Sequence, residues 1–190
     1  MKNILILNGN PKAHSFADSL TSAYEFTAKK AANIRIFKLS EMDFNPNLMF
    51  GYDQVQPFEP CLDTFTDALK WADHLVLIAP IWWGSVPAKL KGLFDRVFLP
   101  GVTFKFEQNS LLPTPLLTDK TARVILTMDT PQELAQELAK PVVEQLCRYT
   151  LEYCGFEKPK VNFFGSVILS DDNQKSNWKT TVAELGSLCD

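Results

Sequence analysis

The chain has 190 residues, enough for one domain of ordinary size with a sizeable core. Hydrophobic residues make up 46% and charged residues 22%, and the net charge of −3 offers neither the basic stripe of a nucleic-acid surface nor the field of a strongly acidic docking protein. No apolar run approaches the ~18 residues that a membrane span needs, and the opening MKNILILNGNPK reads as a first strand rather than a signal peptide.

Residues 3–7 are a short apolar run ended by Asn8, Gly9, Asn10 and Pro11, which predicts a buried strand and a loop. SFADSLTSAYEFTAKKA then places Phe16, Leu20, Ala23, Tyr24 and Thr27 at helical spacing. Ser15 is its natural N-cap, with Asp18 three residues on as a short-armed capping box. NIRIFKL (33–39) alternates and predicts a second strand; residues 40–60 carry little period and predict a long loop. CLDTFTDALKWA (61–72) puts Leu62, Phe65, Leu69 and Ala72 on one helical face. HLVLIAP (74–80) is a continuous apolar strand, buried on both sides.

Pro87 opens the next helix, PAKLKGLFDRVFL, where a proline in the first turn loses no hydrogen bond. Lys89, Lys91 and Arg96 read as a solvated basic face or one that attracts a nucleotide phosphate, with Asp95 and Arg96 free to pair locally. Residues 100–119 predict an irregular connection with a small hairpin around Phe104 and Phe106. ARVILTM (122–128) is a fourth strand. Pro131 opens a long helix running to about Cys154 and closed by Gly155. KVNFFGSV is a fifth strand, and residues 171–188 a last helix. The four cysteines (61, 147, 154 and 189) show no CxxC pair and no histidine at metal-ligand spacing. Free thiols in a reducing compartment are expected, and no metal site.

Strand and helix alternate five times, with no repeats and no second domain. That pattern predicts an α/β fold: a five-stranded parallel sheet in the order 2-1-3-4-5, with helices on both faces. Ligands of such sheets bind at the carboxyl ends of the strands near the switch point, so three loops matter. Loop 8–15, NGNPKAHSF with its following Phe16, ends on a helix N-terminus, a favourable place for a phosphate or simply a capped turn. His14 reads as a surface histidine or a phosphate contact. Loop 80–87, PIWWGSVP, joins two flat aromatics to Gly84, which allows a planar ligand close to the backbone or an aromatic cover for the core or an interface. Loop 127–131, TMDTP, supplies Thr127, Asp129 and Thr130 as polar groups at a strand end, or as the cap before Pro131.

PIWWGSVPAKLKGLFDRVFLPG (80–101) resembles, nearly throughout, the motif of the flavodoxin-like NAD(P)H:quinone oxidoreductases. Asn10, Pro11, Ser15 and Phe16 are similar to that family's phosphate loop, and LSEMDFNP to its segment after strand two. TMDTP and TLEYCGF are similar to its bacterial branch of NAD(P)H-dependent oxidoreductases. The resemblance covers residues 2–167 and implies a three-layer flavodoxin-like fold and a cytoplasmic homodimer. It also implies non-covalent FMN, with FAD as the other choice, and hydride transfer from NAD(P)H through the flavin to a quinone or similar small acceptor. By motif, Ser15, Phe16 and the amide of Ala17 would hold the flavin phosphate. Pro80, Ile81, Trp82, Trp83 and Gly84 would lie along the isoalloxazine, and Thr127, Met128, Asp129 and Thr130 would meet its pyrimidine edge. Phe104 and Phe106 would reach the partner subunit's pocket.

The chain departs from the mammalian members, whose third loop is glycine-rich and followed by a tyrosine and a histidine. Gln132 and Glu133 also stand where the bacterial branch often has aromatics, and Phe104 and Phe106 lack the hydroxyls of the family's tyrosines. The resemblance therefore bears on the cofactor more than on the acceptor, and no catalytic side chain is singled out. The cofactor carries the chemistry in such enzymes. A one-electron flavodoxin-type carrier and a regulatory flavoprotein subunit are the alternatives. Neither NADH nor NADPH is chosen by the sequence.

Overall fold

Apolar strands satisfy their backbone groups only by pairing, and here they pair in parallel because a helix carries the chain back between them. The computed structural model describes residues 1–108, 110 and 112–190. In chain order, β1 (Lys2–Asn8) leads through α1 (Phe16–Ala28) to β2 (Ala32–Lys38), and α2 (Pro60–Trp71) to β3 (His74–Pro80). Helix α3 (Ala88–Val97) precedes a small antiparallel hairpin of β4 (Phe104–Phe106) and β5 (Pro113–Pro115). β6 (Thr121–Thr127), the helical stretch 132–154, β7 (Lys160–Phe164) and α6 (Asp172–Leu188) complete the chain. The parallel sheet runs β2-β1-β3-β6-β7, which is the expected order when only its own strands are counted.

Side chains alternate across the sheet. Ile4, Ile6, Val76, Ile78 and Ile125 face α1 and α6. Leu5, Leu7, Leu75, Leu77, Val124 and Leu126 face α2, α3 and the 132–154 stretch. The three central strands β1, β3 and β6 are thus covered twice, and β3 is buried at all seven positions. Truncating one of these fully buried leucines to alanine costs about 2–5 kcal/mol. α1 and α6 approach so closely that a Cβ on Gly186 would collide with the carbonyl oxygen of Tyr24 and the hydroxyl of Thr27. Burial also holds the Tyr24 hydroxyl protonated well beyond its ordinary range.

Two expectations change. The stretch after Pro131 is helical but not one helix. It divides into α4 (Gln132–Leu138), α5 (Lys140–Val143), a π-helical run Glu144–Leu151 and a short 3-10 turn Glu152–Cys154, closed by Gly155 at φ 113°. Pro141 is the cause of the first break: it has no N–H to donate and its ring crowds the preceding turn. The Ala139 N–H just before it still donates to the Ala135 carbonyl (3.0 Å).

The basic face of α3 is the second. Arg96 is fully buried, not solvated, and its partner is not Asp95. Its guanidinium donates to the carbonyls of Asn45 (2.5 Å) and Pro57 (2.8 Å) and to both Glu59 carboxylate oxygens (2.9 and 3.3 Å). Burial pushes the Glu59 carboxyl upward, but the Arg96 hydrogen bond and the Asn45 amide more than offset it, so the group is held below its ordinary value. A buried cation is tolerated only with partners of this kind. Lys89 donates to the Met42 carbonyl, and only Lys91 pairs on the surface, with Asp95. These contacts fasten the long, irregular 39–59 segment to the wall of the core.

Candidate functional site

The parallel register brings the ends of β1, β3 and β6 together. Asn8 stands opposite Ile78, and Pro80 opposite Thr127. The Gly9 amide donates to Ile78 O and the Ile81 amide to Thr127 O, so the first loop is bonded at its root to β3 and the second to β6.

The first loop is tied internally. The buried Asn8 side chain accepts from the Asn10 amide and donates to Asp18, while Asn10 Oδ1 accepts from the Lys12 amide. Asp18 also accepts from the Ser15 amide (2.8 Å) and, more weakly, from the Ser15 hydroxyl (3.3 Å). Lys38 lies 3.8 Å from its other oxygen. The expected capping box therefore works with Asp18 as its centre, and the Ser15 hydroxyl is turned inward towards that carboxylate. Phe16 and Ala17 contribute the next amides at the start of α1, where backbone N–H groups lack intrahelical partners and favour an anion. The Phe16 ring itself packs against Trp178 of α6, 6.0 Å between centroids. His14 is exposed at φ 54°.

The second loop is a tight turn. Trp82 N donates to Ser85 O (2.8 Å) and Ser85 N to Trp82 O (3.0 Å). The two central residues, Trp83 and Gly84, have φ of 52° and 71°. Positive φ at both central positions is the pattern of a type I′ turn, which suits glycine or asparagine and strains a bulky side chain. Gly84 meets the requirement without a Cβ; Trp83 does not. Trp83 is 104% exposed and Trp82 45%. A strained backbone that holds an indole in solvent is a surface prepared for a flat apolar ligand or a partner.

The third loop leaves β6 at Thr127 and Met128, both buried, with Asp129 exposed and Thr130 half-buried. Pro131 occupies the N-cap position of α4, so the expected Thr130 or Asp129 side-chain cap is not formed. Asp129 instead accepts from the Ile168 amide (2.9 Å). The segment after β7 latches here as well: Met128 N donates to Phe164 O and Ser166 N to Thr130 O.

Over residues 2–187 the chain matches the family described as flavodoxin-like fold. The chain belongs to that family. It is 28% identical over 182 residues to an uncharacterized NAD(P)H oxidoreductase of Haemophilus influenzae, covering 91% of this chain and 88% of the other. It is 39% identical to an FMN-dependent NADH:quinone oxidoreductase of Alteromonas mediterranea over 62 residues, 33% of this chain and 30% of that one. The NAD(P)H:quinone oxidoreductase of Methanothermobacter marburgensis superposes with a TM-score of 0.84 at 21% identity, covering 100% of this chain and 99% of that one.

Within this flavodoxin-like protein, the residues present fit a flavin at the loop cluster in three respects: amides at a helix start, a solvent-held aromatic surface, and polar groups at the end of β6. The β4–β5 hairpin carries the two phenylalanines expected to reach a partner subunit. Phe104 is turned into the chain's own core, 7% exposed and edge-on to Tyr153 at 5.2 Å, whereas Phe106 is 53% exposed. Of the two, Phe106 alone is free to reach another chain. A cleft of about 390 Å³ beside the hairpin is lined by Tyr52, Phe94, Phe98, Phe104, Tyr149 and Tyr153 among others. Burial pushes the Cys147 thiol up to about 11 and raises Cys154 and Cys61 as well, so none is poised as a thiolate near neutral pH. Among the described residues, no group of three or more His, Cys, Asp or Glu is placed to hold a metal, and no helix is long and apolar enough to cross a membrane.

Sequence reasoning missed two participants. Asn8 reads as strand end, yet its amide joins Asp18 to the loop. Gln145 reads as one polar residue of a helix, yet its Oε1 accepts from the Ser85 hydroxyl at 3.1 Å. Asparagine at a strand end is a signal that could have been used; Gln145 left none, since its contact spans 60 residues.

Proposed function

We propose that the protein is an FMN-dependent NAD(P)H oxidoreductase that passes two electrons from NAD(P)H to a quinone or similar small acceptor. The observation that carries this reading is the meeting of three loops at one sheet edge, one offering helix-start amides and one a strained, solvent-held indole. The names of the H. influenzae and A. mediterranea relatives support it.

In this reading the amides of Phe16 and Ala17 bind the phosphate, with the helix N-terminus favouring its charge and Ser15, its own amide held by Asp18, beside it. Asn10 and His14 flank it. Pro80, Ile81, Trp82, Trp83 and Gly84 orient the ring system and exclude water from one of its faces. Thr127, Met128, Asp129 and Thr130 present donors and acceptors to its polar edge. FMN, when bound, supplies the hydride acceptor and donor; the chain supplies position and electrostatics. No side chain of the cluster is required as a nucleophile. The exposed Phe106 and the aromatic cleft suit a homodimer in which each copy completes the other's acceptor pocket, acting as a single-domain cytoplasmic enzyme.

The test is an absorbance spectrum of the purified protein before and after anaerobic NADPH. Bands near ~375 and ~450 nm that bleach at once are expected of a flavin that accepts hydride. Bands that persist would make the protein a carrier or a regulatory subunit, and no flavin after incubation with FMN would remove the reading.

A further inference from the structure

The tryptophan turn has little to hold it. The Trp83 indole is wholly in solvent and Trp82 nearly half exposed, both central residues sit at positive φ, and a Cβ on Gly84 would meet nothing within 4 Å. Within the turn, the paired backbone bonds of Trp82 and Ser85 fix its shape but not its tilt against the body of the protein. Among the described residues, one side-chain hydrogen bond ties it outward: Ser85 Oγ to Gln145 Oε1.

Gln145 stands on an unusual support. It is the second residue of the π-helical run, and its own carbonyl accepts from the Thr150 hydroxyl, five residues on, at 2.7 Å. Leu146 and Leu151, also five apart, are both buried by the same run, so the wide turn is anchored in the core. π-Turns are disfavoured in themselves and persist where they place a side chain that an α-turn would not. The same residue borders the aromatic cleft beside the β4–β5 hairpin.

We propose that Gln145 is a positioning residue that sets the tilt of the Trp82–Trp83 turn, and through it the affinity of the protein for FMN. The flavin half of this statement rests on the proposed function; the turn half does not. Ser85 donates and Gln145 accepts, so what matters is the acceptor oxygen. Gln145→Leu and Ser85→Ala each remove the bond, Gln145→Glu keeps an acceptor, and the double variant tests whether the two residues act as one.

Two readouts are needed. FMN titration of the apoprotein should show Kd raised about five- to tenfold in Gln145→Leu and in Ser85→Ala, the loss expected of one neutral hydrogen bond. The double variant should be no worse than either single one, and Gln145→Glu should remain near the parent. In flavin-free protein carrying 5-fluorotryptophan, the 19F resonances of Trp82 and Trp83, assigned by single Trp→Phe variants, should shift or broaden in the same pattern. Unmoved resonances in both single variants, or additive losses in the double one, would overturn the proposal. A parent protein that binds no FMN but shows the 19F pattern would overturn the proposed function and the flavin half, leaving the positioning role supported.

Discussion

The two ends of β3 are built on opposite rules. At its start His74 is 1% exposed, with Nδ1 2.6 Å from the Thr121 hydroxyl and Nε2 without a partner. Around it, Arg123 and Lys160 converge on the Asp190 carboxylate at 2.9 and 2.6 Å, and Lys120 donates to the carbonyls of Lys70 and Ala72. At its far end, six residues on, the chain leaves Pro80 for a turn whose aromatics face solvent. One end spends its polar groups on closing the fold. The other leaves strain and apolar surface unresolved, as sites that await a ligand do. The lesson is that a strand buried at every position can carry stability at one end and binding at the other.

The sharpest way to break this contrast is with acid. Burial, with Lys2 and other cations nearby, lowers His74 from 6.5 to about 3, so it stays neutral in the folded protein while the unfolded chain takes up a proton. A base depressed on folding gives stability that is full above pH 6.5 and is lost as pH falls towards the folded value. Between pH 7 and pH 5 this amounts to ~2 kcal/mol, mostly above the range where carboxylates such as Glu59 and Asp190 take up protons. Urea unfolding at both pH values should show that fall in the parent and lose most of it in His74→Gln. An equal fall in the variant would place the acid sensitivity elsewhere.

The next largest effect belongs to the open end. Trp83→Ala should leave the urea midpoint almost unchanged, because the indole touches so little of its own chain, yet weaken FMN retention about tenfold. Unchanged flavin content would remove Trp83 from the binding surface and weaken the contrast. The smallest effect sharpens it. Asparagine accepts positive φ where tryptophan is strained, so Trp83→Asn should raise stability by ~0.5–1 kcal/mol while losing flavin. Thermal unfolding against FMN titration would display that trade at a single position.

Much of the frame was legible because it follows from period and punctuation. β3 is found at the residues where the apolar run lies, the hairpin forms at Phe104 and Phe106, and the last helix begins after its Asp171 cap. The three loops were legible because strand order places them together. Two of the errors share a cause. A lysine and an arginine on one helix look alike in a pattern, and nothing local distinguishes a cation in solvent from Arg96, whose acceptors come from residues 37 to 51 positions away. Likewise the helical period after Pro131 ran on past Pro141, and the widening that follows it depends on what Leu146 and Leu151 meet in the core. The roles assigned to the loop residues rest on motif and placement together, since neither a cap nor a turn states by itself what it binds.

The manner in which Arg96 holds the 39–59 segment bears on how that segment can change over time. Two of its three attachment points are main-chain carbonyls, at Asn45 and Pro57, which any residue type supplies. Only Glu59 contributes a side chain. Between the two carbonyls the chain can be rewritten, and even lengthened at modest entropic cost, without touching the contacts that fix it in place. Met49, Tyr52 and Val55, all well exposed, lie in that span. A single buried cation thus separates the loop's position, which is inherited with α3, from its surface chemistry, which is open to drift and selection.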